Sequence, residues 1–268
     1  MVDKFLIAEA GINHNGDLKT ALKLVDAAKK SGADSVKFQT YKTEKRIKKK
    51  YTEIFDILKK CELSYKEFRI IKHYCDERKI TFFSTPFDTE AVDFLSELNV
   101  KYFKIASFDI SNNQLIEKIL SKKTKTIVST GMASLNEITK TYKKFDTKKV
   151  PLILLHCISA YPNKKENSYL ANIKFLQKKF NCEIGLSDHN NGTDIPIIAR
   201  AMGVKYIEKH FKLSDKHKCV DAQVSISAKK FLKLKNEIEY MDKIIGKVKF
   251  GIRKEEVNSK IFKRNKTD

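Results

Sequence analysis

Short apolar and β-branched runs alternate along the chain with longer segments in which apolar residues recur at helical spacing. The runs cover residues 5–11, 35–40, 81–86, 102–107, 126–131, 152–157, 183–189 and 206–211. Continuous apolar runs of this length predict strands buried in a parallel sheet. The amphipathic segments that follow cover 18–30, 65–78, 89–98, 113–120, 135–144, 170–180, 193–202 and 228–245. Asp17, Ser64, Asp88, Ser134 and Ser227 stand where N-caps belong. Eight strand–helix units, with no GxGxxG after the first strand, predict the α/β class and a closed (β/α)8 TIM barrel rather than an open dinucleotide-binding sheet.

Two stretches break the rhythm. Residues 41–63, rich in Lys and Glu, separate the second strand from its helix. A long insertion there lies on the active-site face of a barrel, and it reads either as a flank or lid of the pocket or as a solvated excursion. After Gly246 the sequence is charged and poor in apolar residues. Residues 1–246 are therefore expected to form the barrel, and 247–268 a charged tail or the remnant of a linker.

The carboxyl ends of barrel strands face one pocket. Here they supply Glu9, Lys37, Gln39, Thr85, Lys104, Ser107, Asp109, Ser129, His156, Ser159 and Tyr161. Ile184-Gly-Leu-Ser-Asp-His189 and Tyr206-Ile-Glu-Lys-His-Phe211 add Ser187, Asp188, His189, Glu208, Lys209 and His210. Two imidazoles at neighbouring strand ends can hold a divalent metal beside a phosphate; the alternative is two unrelated core histidines. Lys37 and Lys104 interrupt apolar strands, and a buried lysine is costly unless it meets an anion. Converging hydroxyls favour an anionic ligand, and structural ion pairs with Glu9, Glu208 or Asp188 are the competing reading.

Composition changes this picture little. The net charge of +21 raises nucleic acid, acidic membranes and anionic substrates as partners. Only 6 of the 54 basic residues are Arg, the usual reader of phosphate and base edges, and the lysines are spread over most predicted helices. A solvated lysine surface is expected, with no nucleic-acid or membrane partner. The five cysteines are scattered without CxxC spacing, no signal-like segment is apparent and no apolar run is long enough to cross a bilayer, so a reducing cytoplasm is expected.

Taken in order, several motifs resemble one family. They are Ile7-Ala-Glu-Ala-Gly-Ile-Asn-His-Asn-Gly16, Ala33-Asp-Ser-Val-Lys-Phe-Gln-Thr40, Phe83-Ser-Thr-Pro-Phe87, Lys104-Ile-Ala-Ser107, Val128-Ser-Thr-Gly-Met132, His156-Cys157 with Tyr161-Pro162, Gly185-Leu-Ser-Asp-His189 and Ile207-Glu-Lys-His-Phe211. The sequence is similar to the sialic acid synthases, which condense phosphoenolpyruvate with an N-acylated amino sugar. The resemblance implies that His189 and His210 bind a divalent metal, manganese first, with magnesium or cobalt as substitutes. It implies that Lys37, Thr85, Lys104, Ser107, Ser129, Ser159 and Ser187 surround phosphoenolpyruvate. Gln39, Asp109, Tyr161 and Asp221 are implied near the sugar, and Glu9 near the reacting centre.

Three departures qualify the expectation. Family members usually carry a C-terminal antifreeze-like domain whose arginine covers the sugar in the partner subunit, and no such segment is expected here. The sugar pocket is then either incomplete or completed by a separate polypeptide, and a homodimer through barrel helices is one arrangement open to the chain. Cys219-Val-Asp-Ala-Gln-Val-Ser225 keeps only Asp221 of the usual motif, and Asp109 stands where the pseudaminate branch more often has Glu. The sugar therefore stays open between N-acetylmannosamine and a diacetamido trideoxyhexose. The competing readings are a non-catalytic binding subunit and a synthase of octulosonate or heptulosonate phosphates.

Overall fold

The computed structural model describes residues 4–264. The chain runs β1 (Phe5–Gly11), α1 (Leu18–Lys30), β2 (Ser35–Thr40), α2 (Thr43–Arg46), α3 (Thr52–Cys61), α4 (Tyr65–Glu77), β3 (Thr81–Pro86), α5 (Thr89–Glu97) and β4 (Phe103–Ile105). It continues through α6 (Asn113–Ser121), β5 (Thr126–Ser129), α7 (Leu135–Thr147), β6 (Leu152–Cys157), α8 (Ala171–Lys179), β7 (Glu183–Asp188), α9 (Asp194–Ala201) and β8 (Tyr206–Lys212). β9 (Ile226–Ser227) and α10 (Ala228–Ile245) follow. Strands β1 to β8 pair in sequence order, all parallel, and β1 also pairs with β8. That closure makes the predicted (β/α)8 barrel.

Local sequence sets the elements largely as expected. Asp17, Ser64, Asp88 and Ser134 each accept a backbone N–H at a helix start, and Ser64 and Ser134 complete capping boxes with Glu67 and Glu137. Ser227 occupies the N-cap position of α10 but makes no side-chain capping bond. β4 is shorter than its apolar run because Ser107–Asp109 turns into a 3-10 helix. The insertion holds two helices, α2 and α3, beyond the expected elements, and β9 adds a short parallel pairing beside β8.

Side chains alternate between the two faces of each strand, so the barrel interior has layers. Ile7, Phe83, Ile127, Ile153, Leu155 and Tyr206 pack as an apolar plug. One step towards the carboxyl ends, the same strands place Glu9, Thr85, Ser129, Cys157 and Glu208. The outward residues pack against the helices in a second core that includes Leu6, Val36, Phe38, Phe103, Val128 and Leu154.

This alternation corrects part of the sequence reading. Asp188 and Lys209 were expected at the pocket mouth, but they point outwards, between their in-facing neighbours Ser187 and His189, and Glu208 and His210. Their side chains are fully buried and form a 2.7 Å ion pair. Asp188 also accepts from Asn190, and Lys209 donates to the Asn190 carbonyl. His156 likewise leaves the pocket, with Nε2 2.7 Å from the Ser168 carbonyl oxygen.

Gly246, at φ +61°, ends α10, and residues 247–264 lie on the surface; Val248 and Phe250 are about nine-tenths exposed. The final stretch of the expected tail, 265–268, lies outside the described residues, as do residues 1–3 of the expected barrel. Among the described residues no helix is long and apolar enough to cross a membrane, and none of the five cysteines is in a disulfide.

Breaking a buried ion pair strands one charge without solvent. Lys209→Met is therefore expected to lower the unfolding free energy by about 3–5 kcal/mol, read from urea denaturation. A loss below about 1 kcal/mol would show that the outward pair does not hold β7 to β8.

Candidate active site

A cavity of about 760 Å³ opens at the carboxyl ends of the strands. Thirteen residues predicted from sequence line it: Glu9, Lys37, Gln39, Thr85, Lys104, Ser107, Ser129, Tyr161, Ser187, His189, Glu208, His210 and Asp221. Ser159 and Asp109 do not line it. Ser159 stands next to it, with Oγ 4.0 Å from Cys157 Sγ. Asp109 accepts from Asn112, and burial pushes its carboxyl above the usual range.

Strand register sets the charges. Glu9 on β1 lies beside Lys37 on β2 and His210 on β8, and Glu208 lies beside Ser187. Lys37 Nζ sits 2.7 Å from Glu9 Oε2, 3.3 Å from Thr85 Oγ1 and 3.6 Å from Glu208 Oε2. Lys104 Nζ donates to Ser129 Oγ at 2.7 Å and lies 3.9 Å from Glu208 Oε1. Glu208 also accepts from Ser187 Oγ at 2.9 Å. The structural ion pairs that competed with an anion site are thus present, and they lie inside the cavity rather than apart from it.

The two lysines differ electrostatically. Burial opposes the charge on Lys37, but Glu208 and Glu9 outweigh it and raise its pKa. At Lys104 burial wins, helped by repulsion from Lys37, and the pKa falls. Burial works against the Glu208 carboxylate too, yet the two lysines and Ser187 pull it down to about 2.

Gly131 allows the hydroxyls to crowd. A side-chain carbon there would stand 2.2 Å from Ser159 Oγ and 2.8 Å from Ser107 Oγ. Without it, the Gly131 N–H donates to Ser107 Oγ at 3.1 Å.

In the same cavity, the rings of His189 and His210 lie 5.2 Å apart, and the Tyr161 ring lies 4.1 Å from that of His189, tilted by 33°. His189 Nδ1 is 2.8 Å from the Ile158 carbonyl, which can only accept. In the neutral ring that nitrogen carries the proton, and Nε2 keeps the lone pair a metal needs. His210 Nδ1 is buried without a hydrogen-bond partner, 3.4 Å from Asp221 Oδ2. Among the described residues no group of three or more His, Cys, Asp or Glu side chains is placed to hold an ion. The donor set fits an ion held by two imidazoles, its other positions left to water and substrate oxygens.

Comparison with known proteins then decides the family. Residues 24–250 match the NeuB family model. The chain belongs to the NeuB family. It is 35% identical to the N,N'-diacetyllegionaminic acid synthase of Campylobacter jejuni, over 99% of this chain and 84% of that one. An uncharacterised protein of Methanocaldococcus jannaschii is 42% identical over 90% of this chain and 72% of its own length. The crystal structure of the N-acetylneuraminic acid synthetase of Leptospira borgpetersenii superposes with a TM-score of 0.92 at 38% identity, covering 97% of this chain and 91% of that one.

Within this NeuB-family barrel, sequence reasoning missed several lining residues: Ile12, Arg46, Ile54, Ile57, Ala106, Phe108 and Cys157. Cys157 Sγ lies between Ser107 Oγ at 3.6 Å and His189 Nδ1 at 3.8 Å. Burial opposes its thiolate, but His189 and Ser107 bring the pKa below the ordinary value. Arg46, Ile54 and Ile57 come from the insertion, which is therefore a wall of the pocket and not a solvated excursion. The i, i+3 spacing of Ile54 and Ile57, with Leu58 and Cys61 buried behind them, was the signal available in the sequence.

Glu62 clamps this wall. It accepts from the Thr43 N–H, Thr43 Oγ1 and Lys42 Nζ, each at 2.9 Å. Burial works against its charge, but these donors pull its pKa from 4.5 down to about 2. A depressed carboxylate stabilises the folded form fully above its unfolded pKa, and that stabilisation is lost as pH falls through the folded one. Hydrogen-exchange protection of the Thr43 amide, corrected for intrinsic rate, is expected to drop between pH 4.5 and 2, and Glu62→Gln to be poorly protected throughout. Equal protection in the variant at pH 6 would show that the clamp is not Glu62.

Proposed function

We propose that the chain condenses phosphoenolpyruvate with the open-chain aldehyde of an N-acylated amino sugar, giving a nonulosonic acid and phosphate. The observation that carries this reading is the convergence of Lys37, Lys104, Thr85, Ser107, Ser129 and Ser187 in the same cavity as His189 and His210. The first set suits an anion of high charge, and the histidine pair suits a carbonyl oxygen on an ion. The named synthases among its relatives support the same class of reaction.

The chemistry follows from these positions. Lys37 and Lys104 take the phosphate and carboxylate of phosphoenolpyruvate, exchanging contacts with Glu9 and Glu208 for contacts with the substrate. Thr85, Ser129 and Ser187 donate hydrogen bonds to its oxygens. A divalent ion bound by His189 and His210, manganese first, supplies Lewis acidity at the aldehyde oxygen. Carbon 3 of phosphoenolpyruvate then forms a bond to the aldehyde carbon, and positive charge develops at carbon 2. Glu9 and Glu208 stand where that charge is stabilised. Water adds at carbon 2, losing a proton, and the aldehyde oxygen gains one. The tetrahedral adduct expels phosphate by carbon–oxygen cleavage and leaves a ketone. Glu9, 2.7 Å from Lys37 Nζ and 3.2 Å from Gln39 Nε2, is placed to relay these protons. Gln39, Tyr161 and Asp221 line the remaining space and orient the sugar hydroxyls.

The test is phosphate release from phosphoenolpyruvate with manganese present, offering N-acetylmannosamine and the diacetamido trideoxyhexoses in turn. Sugar-dependent release is expected, and His189→Ala should lower metal-dependent kcat at least about 1000-fold, the scale of losing an electrostatic stabiliser of the developing charge. Unchanged turnover in that variant would remove His189 from the ion site. No release with any acceptor would refute the synthase reading and favour a binding subunit.

A further inference from the structure

The insertion presents one cation that the reaction outlined above does not use. Arg46, at the end of α2, lines the cavity. Its guanidinium carbon stands 3.9 Å from the centre of the Phe87 ring and 4.6 Å from that of Tyr41. Those two rings hold the planar group in place, and the Tyr41 hydroxyl is itself fixed by donating to the Leu58 carbonyl at 2.9 Å. Among the described residues the Arg46 side chain makes no hydrogen bond and no ion pair, and Nη1 is buried without a partner. A buried guanidinium nitrogen with nothing to donate to is unusual and points to a missing acceptor.

The surroundings restrict what that acceptor is. Asp221, Asp109 and Glu9 all lie within electrostatic reach of Arg46, whereas Lys37 and Lys104 bond to other partners. With Asp221 and Asp109 beside it, and Glu9 shared with Lys37, the surroundings of Arg46 do not form the net-positive cradle that a phosphate dianion needs. A neutral carbonyl oxygen needs none. Also lining the cavity, Ile54 and Ile57 are about half exposed, and Phe108 is 64% exposed. Gln39 Oε1, also on the lining, is a second buried atom with no partner and can accept an N–H. A fixed donor, an acceptor and an apolar surface suit a group that pairs a carbonyl oxygen and an N–H with a methyl.

We propose that Arg46 is the specificity-determining residue for the acyl substituent of the acceptor, donating to its carbonyl oxygen while Ile54, Ile57 and Phe108 take up its methyl group. The inference rests on the synthase reading and adds to it how the acceptor is chosen. The insertion, and not the strand ends alone, then selects an acylamino sugar over the parent sugar.

Arg46→Met tests this, because methionine keeps an apolar stem against Phe87 and Tyr41 and removes the donors together with the charge. The KM for the N-acyl acceptor is expected to rise about 10- to 100-fold, the scale of one charge-assisted hydrogen bond, with KM for phosphoenolpyruvate within about twofold of wild type. The preference for N-acetylmannosamine over mannose, or for the best acceptor over its hydroxyl analogue, should fall by the same factor. Thermal unfolding should shift by no more than a few degrees, since the loss of the ring contacts is offset by removing a buried donor that has no partner. An unchanged acceptor KM overturns the proposal. So does a parallel loss of phosphoenolpyruvate affinity and stability, which would make Arg46 a structural strut. A larger effect on a phosphorylated acceptor than on its neutral form would make Arg46 a phosphate ligand and equally overturn it. Wild-type protein that releases no phosphate with any acylamino sugar would sink the synthase reading itself, a failure visible before any variant is compared.

Discussion

Four charged side chains share the barrel mouth almost without solvent: Glu9, Lys37, Lys104 and Glu208, none more than 4% exposed. Each alone would cost several kcal/mol to bury. Together they cancel, and they can do so only because β1, β2, β4 and β8 hold a register that sets the two carboxylates within 4 Å of the lysines. An apolar filling of the same space would be at least as stable. The plug formed by Ile7, Phe83, Ile127 and Tyr206 shows that this barrel builds such a filling one layer below. The charged layer is therefore better explained by what it binds than by what it stabilises. Its lysines are desolvated beforehand, with carboxylate partners that an incoming phosphate can replace.

The period of two along each strand does more than place these groups. It separates Ser187, His189, Glu208 and His210, which meet in the cavity, from Asp188 and Lys209, which seal the space behind β7 and β8. The sequence shows that these residues lie at strand ends, but not which side each faces, because a strand buried on both faces is apolar on both. Only interruptions of the apolar pattern carry information, and Asp188 and Lys209 interrupt it as plainly as Glu208 does. They were therefore grouped with the site until the fold told them apart. His156 failed for a related reason, since its strand-end position says nothing of the Ser168 carbonyl that captures it.

The barrel itself was legible because eight strand–helix units repeat, and because Asp17, Ser64, Asp88 and Ser134 mark helix starts by chemistry that is local to the chain. The insertion was not legible to the same degree. Its helices α2 and α3 are short, and Glu62, Tyr41 and Arg46 fix it through hydrogen bonds made 17 and 19 residues apart and a ring contact made across 41. Such contacts leave no periodic trace. Cys157 was hidden differently: as a small residue in an apolar strand it reads as core, and only its place between Ser107 and His189 gives it a part in the site. The two halves of the cavity thus have different origins. The end proposed for phosphoenolpyruvate is made by strands and follows from barrel geometry, whereas the end proposed for the acceptor is made by loops and the insertion, where this chain differs from an idealised barrel.

The central claim is that the paired lysines form a waiting anion cradle. Calorimetric titration of phosphoenolpyruvate into wild type and into Lys104→Met, without sugar, tests it most directly. The account predicts a stoichiometric complex with wild type and a dissociation constant at least about 30-fold weaker in the variant, the loss of one charge-assisted contact. Equal affinity in the two proteins, or no binding to wild type, would mean that Lys37 and Lys104 serve only their carboxylate partners.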